Sequence, residues 1–267
     1  MGMNAGALQG RLKTRHLGRT LETHESLPST NAAARHAARD GAPHGAVFIA
    51  AEQTAGRGRF SRAWASPRGG LWMSLLLRPG PDPAMAQFIP MAAALALRAC
   101  LRESCVSARL AWPNDLMARG RKLAGLLAES VIRGAELEYV ILGMGINVNN
   151  SADSLPEELR GAAISCMDLA GAPIELEALA SDLLNAFEPL CDEIARCRGG
   201  RIFEEWKTAL ELIGKRVSVR SGNAFYEGVV LDIAEGGALV LRLDNNETAA
   251  VPMDRGSLHT DKYSKEL

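Results

Sequence analysis

The chain has few aromatic residues, few cysteines and no surplus of either charge. Of its 267 residues, 5% are aromatic and five are cysteine: Cys100, Cys105, Cys166, Cys191 and Cys197. Their odd number and the lack of any C-x-x-C exclude a disulfide framework and fit reduced thiols in the cytoplasm. Thirty Lys and Arg against 31 Asp and Glu leave a net charge of -1, without the basic excess of a general nucleic-acid binder. The longest apolar run, residues 88–97, ends at Arg98, about half of the ~20 residues that span a bilayer. Residues 1–21 are polar, with Arg11, Lys13, Arg15 and Arg19, and lack the apolar segment of a signal peptide. A soluble, cytoplasmic protein with no membrane segment is expected.

Several signatures are also missing. His16, His24, His36, His44 and His259 are scattered without ligand spacing, so no metal site is expected. There is no G-x-S-x-G and no serine or cysteine beside an evident base, which excludes a hydrolytic triad. No G-x-x-x-x-G-K-[ST] occurs. The G-x-G at Gly56-Arg57-Gly58 has Ser61 in place of the third glycine and no helix after it, so the phosphate-binding loop and the dinucleotide fingerprint both fail.

Ser29-Thr30-Asn31 is N-cap chemistry ahead of a helix over residues 32–39, stopped by Asp40-Gly41. Residues 46–51 and 71–77 read as buried strands and 85–103 as a long apolar helix. Residues 109–112 form a short strand, and 122–133 with 137–147 a strand pair. Residues 156–169, 175–196 and 201–212 read as helices, the second with apolar residues spaced three and four apart. Beyond Gly214 four short strand-like runs alternate with turns such as Ser221-Gly222-Asn223, the pattern of a small β-barrel or sandwich. This divides the chain into a flexible leader at 1–21, a main domain at 22–212 and a small β domain at 213–267.

Three stretches could carry chemistry. From Gln53 to Pro81 there are five arginines, Arg57, Arg59, Arg62, Arg68 and Arg78, and no carboxylate. Glycines beside arginines let the backbone approach a ligand while guanidinium forks meet its anionic oxygens, although a solvated surface loop has the same composition. Trp112-Pro113-Asn114-Asp115 puts two polar side chains after a strand, for a site or for a turn. Lys122 enters the apolar stretch before Leu123-Ala124-Gly125, as a functional cation or as a lysine snorkelling at a strand edge.

Taken in order, Ser29-Thr30-Asn31, Gly56-Arg57-Gly58-Arg59 with Arg62 and Trp64, Trp112-Pro113-Asn114-Asp115, Lys122-Leu123-Ala124-Gly125 and Gly143-Met144-Gly145-Ile146-Asn147 resemble bacterial biotin protein ligases over residues 22–260. The resemblance implies an α+β fold: a mixed β-sheet with helices, related to class II aminoacyl-tRNA synthetases, plus a C-terminal SH3-like β-barrel. It implies ATP and biotin as substrates, with Mg2+, and activation of biotin to biotinoyl-5′-AMP. The biotin carboxyl carrier protein of acetyl-CoA carboxylase is then the acceptor, through one lysine. A monofunctional enzyme without operator DNA is expected, because only about 20 residues precede the pattern, too few for a helix-turn-helix domain; a homodimer is left open. Ala111 stands where the family places a lysine before WPND, and Arg109 is the cation nearby in sequence.

By the same resemblance Lys122, Arg59 and Asp115 carry the chemistry: Lys122 between the carboxylate and the α-phosphate, Asp115 toward the incoming lysine. Ser29, Thr30, Asn31 and Gln53 face the ureido ring. Gly56, Arg57, Arg59, Trp64, Lys122, Gly125, Leu127 and Gly143 complete the biotin site. Arg57, Arg59, Arg62, Asn114, Lys122 and Asn147 meet the nucleotide. Other readings are a lipoate or octanoate ligase or transferase of the same fold, a biotin-responsive regulator, and a carrier-docking module without catalysis.

Overall fold

The computed structural model describes residues 3–258; His259 and the rest of the expected C-terminal domain lie outside the described residues, as do residues 1–2. In chain order the main domain comprises α1 (Ala5–Arg11), β1 (Leu21–His24), α2 (Thr30–Arg39), β2 (Val47–Ala50), β3 (Leu71–Leu77), α3 (Phe88–Glu103), β4 (Arg109–Ala111), β5 (Asp115–Ala118), β6 (Arg121–Arg133), β7 (Glu136–Ile146), α4 (Cys166–Ala170), α5 (Leu176–Ala195) and α6 (Gly199–Leu210). After it come β8 (Arg216–Ser221), β9 (Ala224–Ile233), β10 (Leu239–Leu243), β11 (Thr248–Val251) and β12 (Gly256–Leu258).

Strands β1 to β7 form one sheet in the order β1-β2-β3-β7-β6-β5-β4. The β1–β2 pair is parallel and the others antiparallel, so the sheet is mixed. All of β3 is buried because both faces of the sheet are covered there. Leu71, Met73 and Leu75 pack with α3 and α5, while Phe48, Leu76 and Ile141 pack under Ala34 and Ala38 of α2. The stretch Pro83–Glu103 is long and apolar enough to cross a membrane by composition. Its Phe88, Ile89, Met91, Leu97 and Leu101 are buried in the core, which marks it as the central helix of a globular fold.

The helix expected over residues 156–169 is broken. A 3-10 turn at Glu157–Leu159 and the short α4 replace it, with Ser165 and Asp168 closing a capping box that starts α4 late. The small β domain is a five-stranded antiparallel sheet in the order β11-β10-β9-β8-β12. Among the described residues no pairing joins β11 to β12, so the expected barrel is an open, barrel-like sheet. Its Val217, Val219, Val230, Ile233, Leu239, Leu241 and Val251 belong to the same apolar cluster as Met91, Leu110 and Trp112 of the main domain. Trp112 Nε1 donates to Gly237 O at 2.7 Å, and Lys207 pairs with Asp232 at 2.5 Å.

The expectation of a loose leader is corrected. Asn4 caps α1, and Leu8 and Leu17 are fully buried. The carboxylate of Glu188, buried in α5, accepts the backbone N–H groups of Arg15 (2.7 Å), His16 (2.8 Å) and Leu17 (3.0 Å). The sequence shows the arginines of this segment but not the three amides that hold it. Burial alone would raise the Glu188 pKa, but the three N–H donors and Arg15 outweigh it and hold the group below its usual value of 4.5. Its stabilisation is therefore present above the unfolded pKa and is lost as pH falls through the folded one. Glu188→Ala is expected to destabilise the protein by about 3 kcal/mol, the effect of orphaning buried donors. Chemical denaturation at pH 7 and at pH 4 checks this: the gap between wild type and variant should shrink at pH 4.

Candidate active site

One cavity of about 820 Å³ opens on the α2 face of the sheet, beside the start of α2 and over Gly125 and Leu127 of β6 and Gly143 and Gly145 of β7. Its floor follows from register. Gly125 of β6 lies opposite Gly145 of β7, and Leu127 opposite Gly143. The indole of Trp64 lies on the paired glycines: a methyl group at Gly145 would come within 2.5 Å of Trp64 Nε1, and one at Gly125 within 2.9 Å of its ring. Gly143 leaves room for the side-chain amide of Asn31. Glycine serves here because an aromatic ring and an amide must touch strand backbone.

Strict alternation would put Lys122 and Gly125 on opposite faces of β6. The register shift does otherwise. Leu116 pairs with Ala124, Met117 with Lys122, and Leu123 is the extra residue. Leu123 and Ala124 then both enter the core at 0% exposure, and Lys122 emerges on the cavity side. A β-bulge re-aims a side chain in this way. Lys122 Nζ pairs with Asp115 Oδ2 at 2.6 Å and stands 5.0 Å from the centroid of the Trp64 ring. Asp115 in turn lies opposite both Gly125 and Ala111, so the pair sits at the end of the glycine floor.

The other end is polar and uncharged. Ser29 caps α2 through its Oγ. Gln53 Oε1 accepts from Thr30 N (2.8 Å) and Thr30 Oγ1 (3.1 Å), and Gln53 Nε2 donates to Ser66 Oγ at 2.8 Å. Ser74, fully buried in β3, lies within hydrogen-bond distance of both Thr30 Oγ1 and Asn31 Oδ1. Asn31 Nδ2 donates to Glu129, which also pairs with Arg35 at 2.6 Å. The network holds Thr30, Asn31 and Gln53 in fixed rotamers. Sequence reading missed Ser74, Ser66, Glu129 and Arg35; the lone hydroxyl in the apolar run of β3 was the available signal.

Gly56 is a partial departure. It stands outside the cavity wall, where it lets the two sides of the loop close, with Trp64 N donating to Gly56 O at 2.9 Å. The loop is a tight hairpin, since Gly58 N also donates to Arg62 O at 2.8 Å. Arg57 and Arg62 line the cavity. Arg59 lines it too, but its guanidinium donates to Gly256 O at 2.9 Å and Met253 O at 2.6 Å, tying the loop to the turn before β12. Burial lowers the Arg59 pKa, partly opposed by Asp115 and Asp254. Asn114 donates from its side chain to Leu126 O. Asn147 is buried, with its amide on Lys122 O at 3.3 Å and its Oδ1 accepting from Asn150. Both asparagines thus brace the strand that carries Lys122. From the small β domain Lys215, Arg216 and Ser218 reach the same cavity, residues the sequence reading did not name.

A profile described as the biotin/lipoate A/B protein ligase family matches residues 24–147, and one described as the biotin protein ligase C terminal domain matches residues 212–252. The chain is 34% identical over 238 residues to the bifunctional ligase/repressor BirA of Bacillus subtilis, covering 88% of this chain and 73% of that protein. It is 34% identical over 219 residues to the biotin–[acetyl-CoA-carboxylase] ligase of Paracoccus denitrificans, covering 80% and 90%. The fold matches the biotin protein ligase of Aquifex aeolicus solved with biotin and ATP, with a TM-score of 0.76 at 23% identity over 90% of this chain and 99% of that one. Both profile matches fall in the order of the two sheets, and the relatives align across both, so the chain belongs to the biotin protein ligase family.

Proposed function

We propose that the protein joins biotin to ATP, forming biotinoyl-5′-AMP and pyrophosphate, and then passes the biotinoyl group to a lysine of a biotin carboxyl carrier protein. The observation that carries this reading is the asymmetry of the cavity: hydrogen-bonding but uncharged at Ser29, Thr30 and Gln53, cationic at Lys122, Arg57 and Arg62. A ureido ring has uncharged donors and acceptors that can join this network, whereas an aliphatic lipoyl or octanoyl chain has none to offer it.

In the first step a carboxylate oxygen of biotin attacks the α-phosphorus and the bond to pyrophosphate breaks. Two anions must meet, and Lys122 offsets their repulsion from the floor. Arg57 and Arg62 take the nucleotide oxygens, and Trp64 packs on biotin. In the second step the carrier's lysine nitrogen attacks the anhydride carbonyl, the bond to AMP breaks, and Asp115 accepts the proton of the amine. No covalent enzyme intermediate is needed. Mg2+ enters with ATP; among the described residues no group of His, Cys, Asp or Glu could hold it without the phosphates. Free cysteines support a cytoplasmic setting, and the balanced charge supports a ligase that does not bind operator DNA.

Incubation with ATP, labelled biotin and a carrier domain tests the reading: labelled carrier and AMP are expected, and their absence overturns it. Arg59→Gly cuts the tie between the loop and the small β domain. It is expected to speed biotinoyl-AMP release by at least about tenfold, the loss of charge-assisted hydrogen bonds, and to label bystander lysines. Unchanged release would show that Arg59 does not close the loop.

A further inference from the structure

The hairpin between β5 and β6 has a two-residue loop, Arg119-Gly120, with Ala118 paired to Arg121. Both loop residues are left-handed, at φ +50 and +72. Paired positive φ values are the requirement of a type I′ turn, and Asn-Gly or Asp-Gly meets it with least strain. Asn enters this region several-fold more readily than a long side chain, because it bonds its own backbone. Turn chemistry therefore disfavours arginine at 119. Nor does a protein partner account for it: among the described residues Arg119 makes no ion pair or side-chain hydrogen bond.

What Arg119 does have is the cavity. Arg109 on β4 lies opposite Met117 on β5, and Met117 opposite Lys122 on β6. All three line the cavity, and Arg119, two residues beyond Met117, lines it as well. β4 and the hairpin thus present Arg109, Arg119 and Lys122 along one wall. Arg119 and Arg109 are exposed at its rim, outward of the half-buried Lys122. A triphosphate with its α-phosphorus at Lys122 and its remaining phosphates along this wall would meet Arg119.

We propose that Arg119 is a polyphosphate ligand: it holds the outer phosphates of ATP and then the departing pyrophosphate. This rests on the ATP-dependent reading above. The strained turn is retained in exchange for a guanidinium at that point, which makes stability and ATP binding move in opposite directions on substitution.

The test is Arg119→Asn in the full chain, with calorimetric titration of ATP, pyrophosphate, AMP and biotin, carrier KM, and thermal denaturation. Asn is expected to raise Tm by about 2 °C and to weaken ATP and pyrophosphate about tenfold, as for loss of one charge-assisted contact. AMP, biotin and carrier should change less than about twofold, within one exposed ion pair. Arg119→Lys, which keeps the charge in the strained turn, should recover part of the ATP affinity but not the Tm gain. Unchanged ATP and pyrophosphate affinity would overturn the proposal. So would a loss confined to carrier KM, which would make Arg119 a protein-docking residue, or an equal loss for AMP. Because binding is read directly, failure of wild type to biotinylate a carrier would refute the ligase reading without deciding this one.

Discussion

Lys122→Ala is expected to slow formation of biotinoyl-AMP by about 10²–10³-fold, the effect of removing one preorganised charge from a developing anion. Its ammonium is 2.6 Å from Asp115 and its side chain is 36% exposed, so the variant loses more than an attraction. The Asp115 carboxylate is left uncompensated where carboxylate and phosphate must approach, and repulsion adds to the barrier. Single-turnover release of AMP measures the first step, and transfer from preformed biotinoyl-AMP the second; the second should suffer less. The double variant Lys122→Ala with Asp115→Asn should regain part of the first-step rate. Adenylate formation at the wild-type rate in Lys122→Ala would remove the lysine from the mechanism.

Gly145→Val should weaken biotin binding by about 100-fold, or ~3 kcal/mol, as for displacing an aromatic anchor. The first carbon of the new side chain would stand 2.5 Å from Trp64 Nε1, and Trp64 is the end of a short loop, whereas β7 is held between β3 and β6. The indole therefore moves and the strand stays. Gly145 sits in an ordinary strand, where valine is a favourable residue, so the fold should survive. Titration of biotin with Tm as the control reads both parts. A folded variant that binds biotin like wild type would show that Trp64 does not form the biotin wall.

Much of the scaffold was legible because local patterns and tertiary needs agree. The turn signal at Ser221-Gly222-Asn223 joins β8 to β9, and Ser29 before the alanine-rich stretch is the N-cap of α2. The misses have physical causes. β1, β5 and β12 are strands of three or four residues, too short for periodicity, and they form because neighbouring strands offer free hydrogen-bonding edges. α1 has little apolar periodicity of its own and is held against α5, where Glu177 accepts the backbone N–H of Asn4 and Glu175 pairs with Arg11, partners 173 and 164 positions away in the chain.

The sequence by itself determined the chemistry at hand: a carboxylate-free arginine loop, a lysine followed by Leu123-Ala124-Gly125, and two glycines flanking Met144. These are properties of residue type and local spacing, and no fold is needed to read them. Only the tertiary structure decided how they are used. The extra residue at Leu123 turns Lys122 out of the core to meet Asp115. The β6–β7 register sets Gly125 against Gly145 so that Trp64 can lie on both. Packing of the small β domain draws Arg59 toward Met253 and Gly256 and leaves Arg57 and Arg62 in the cavity. Each outcome depends on residues far apart in the chain, since a side chain's face is set by its strand's partner and a loop's direction by the surface it docks on.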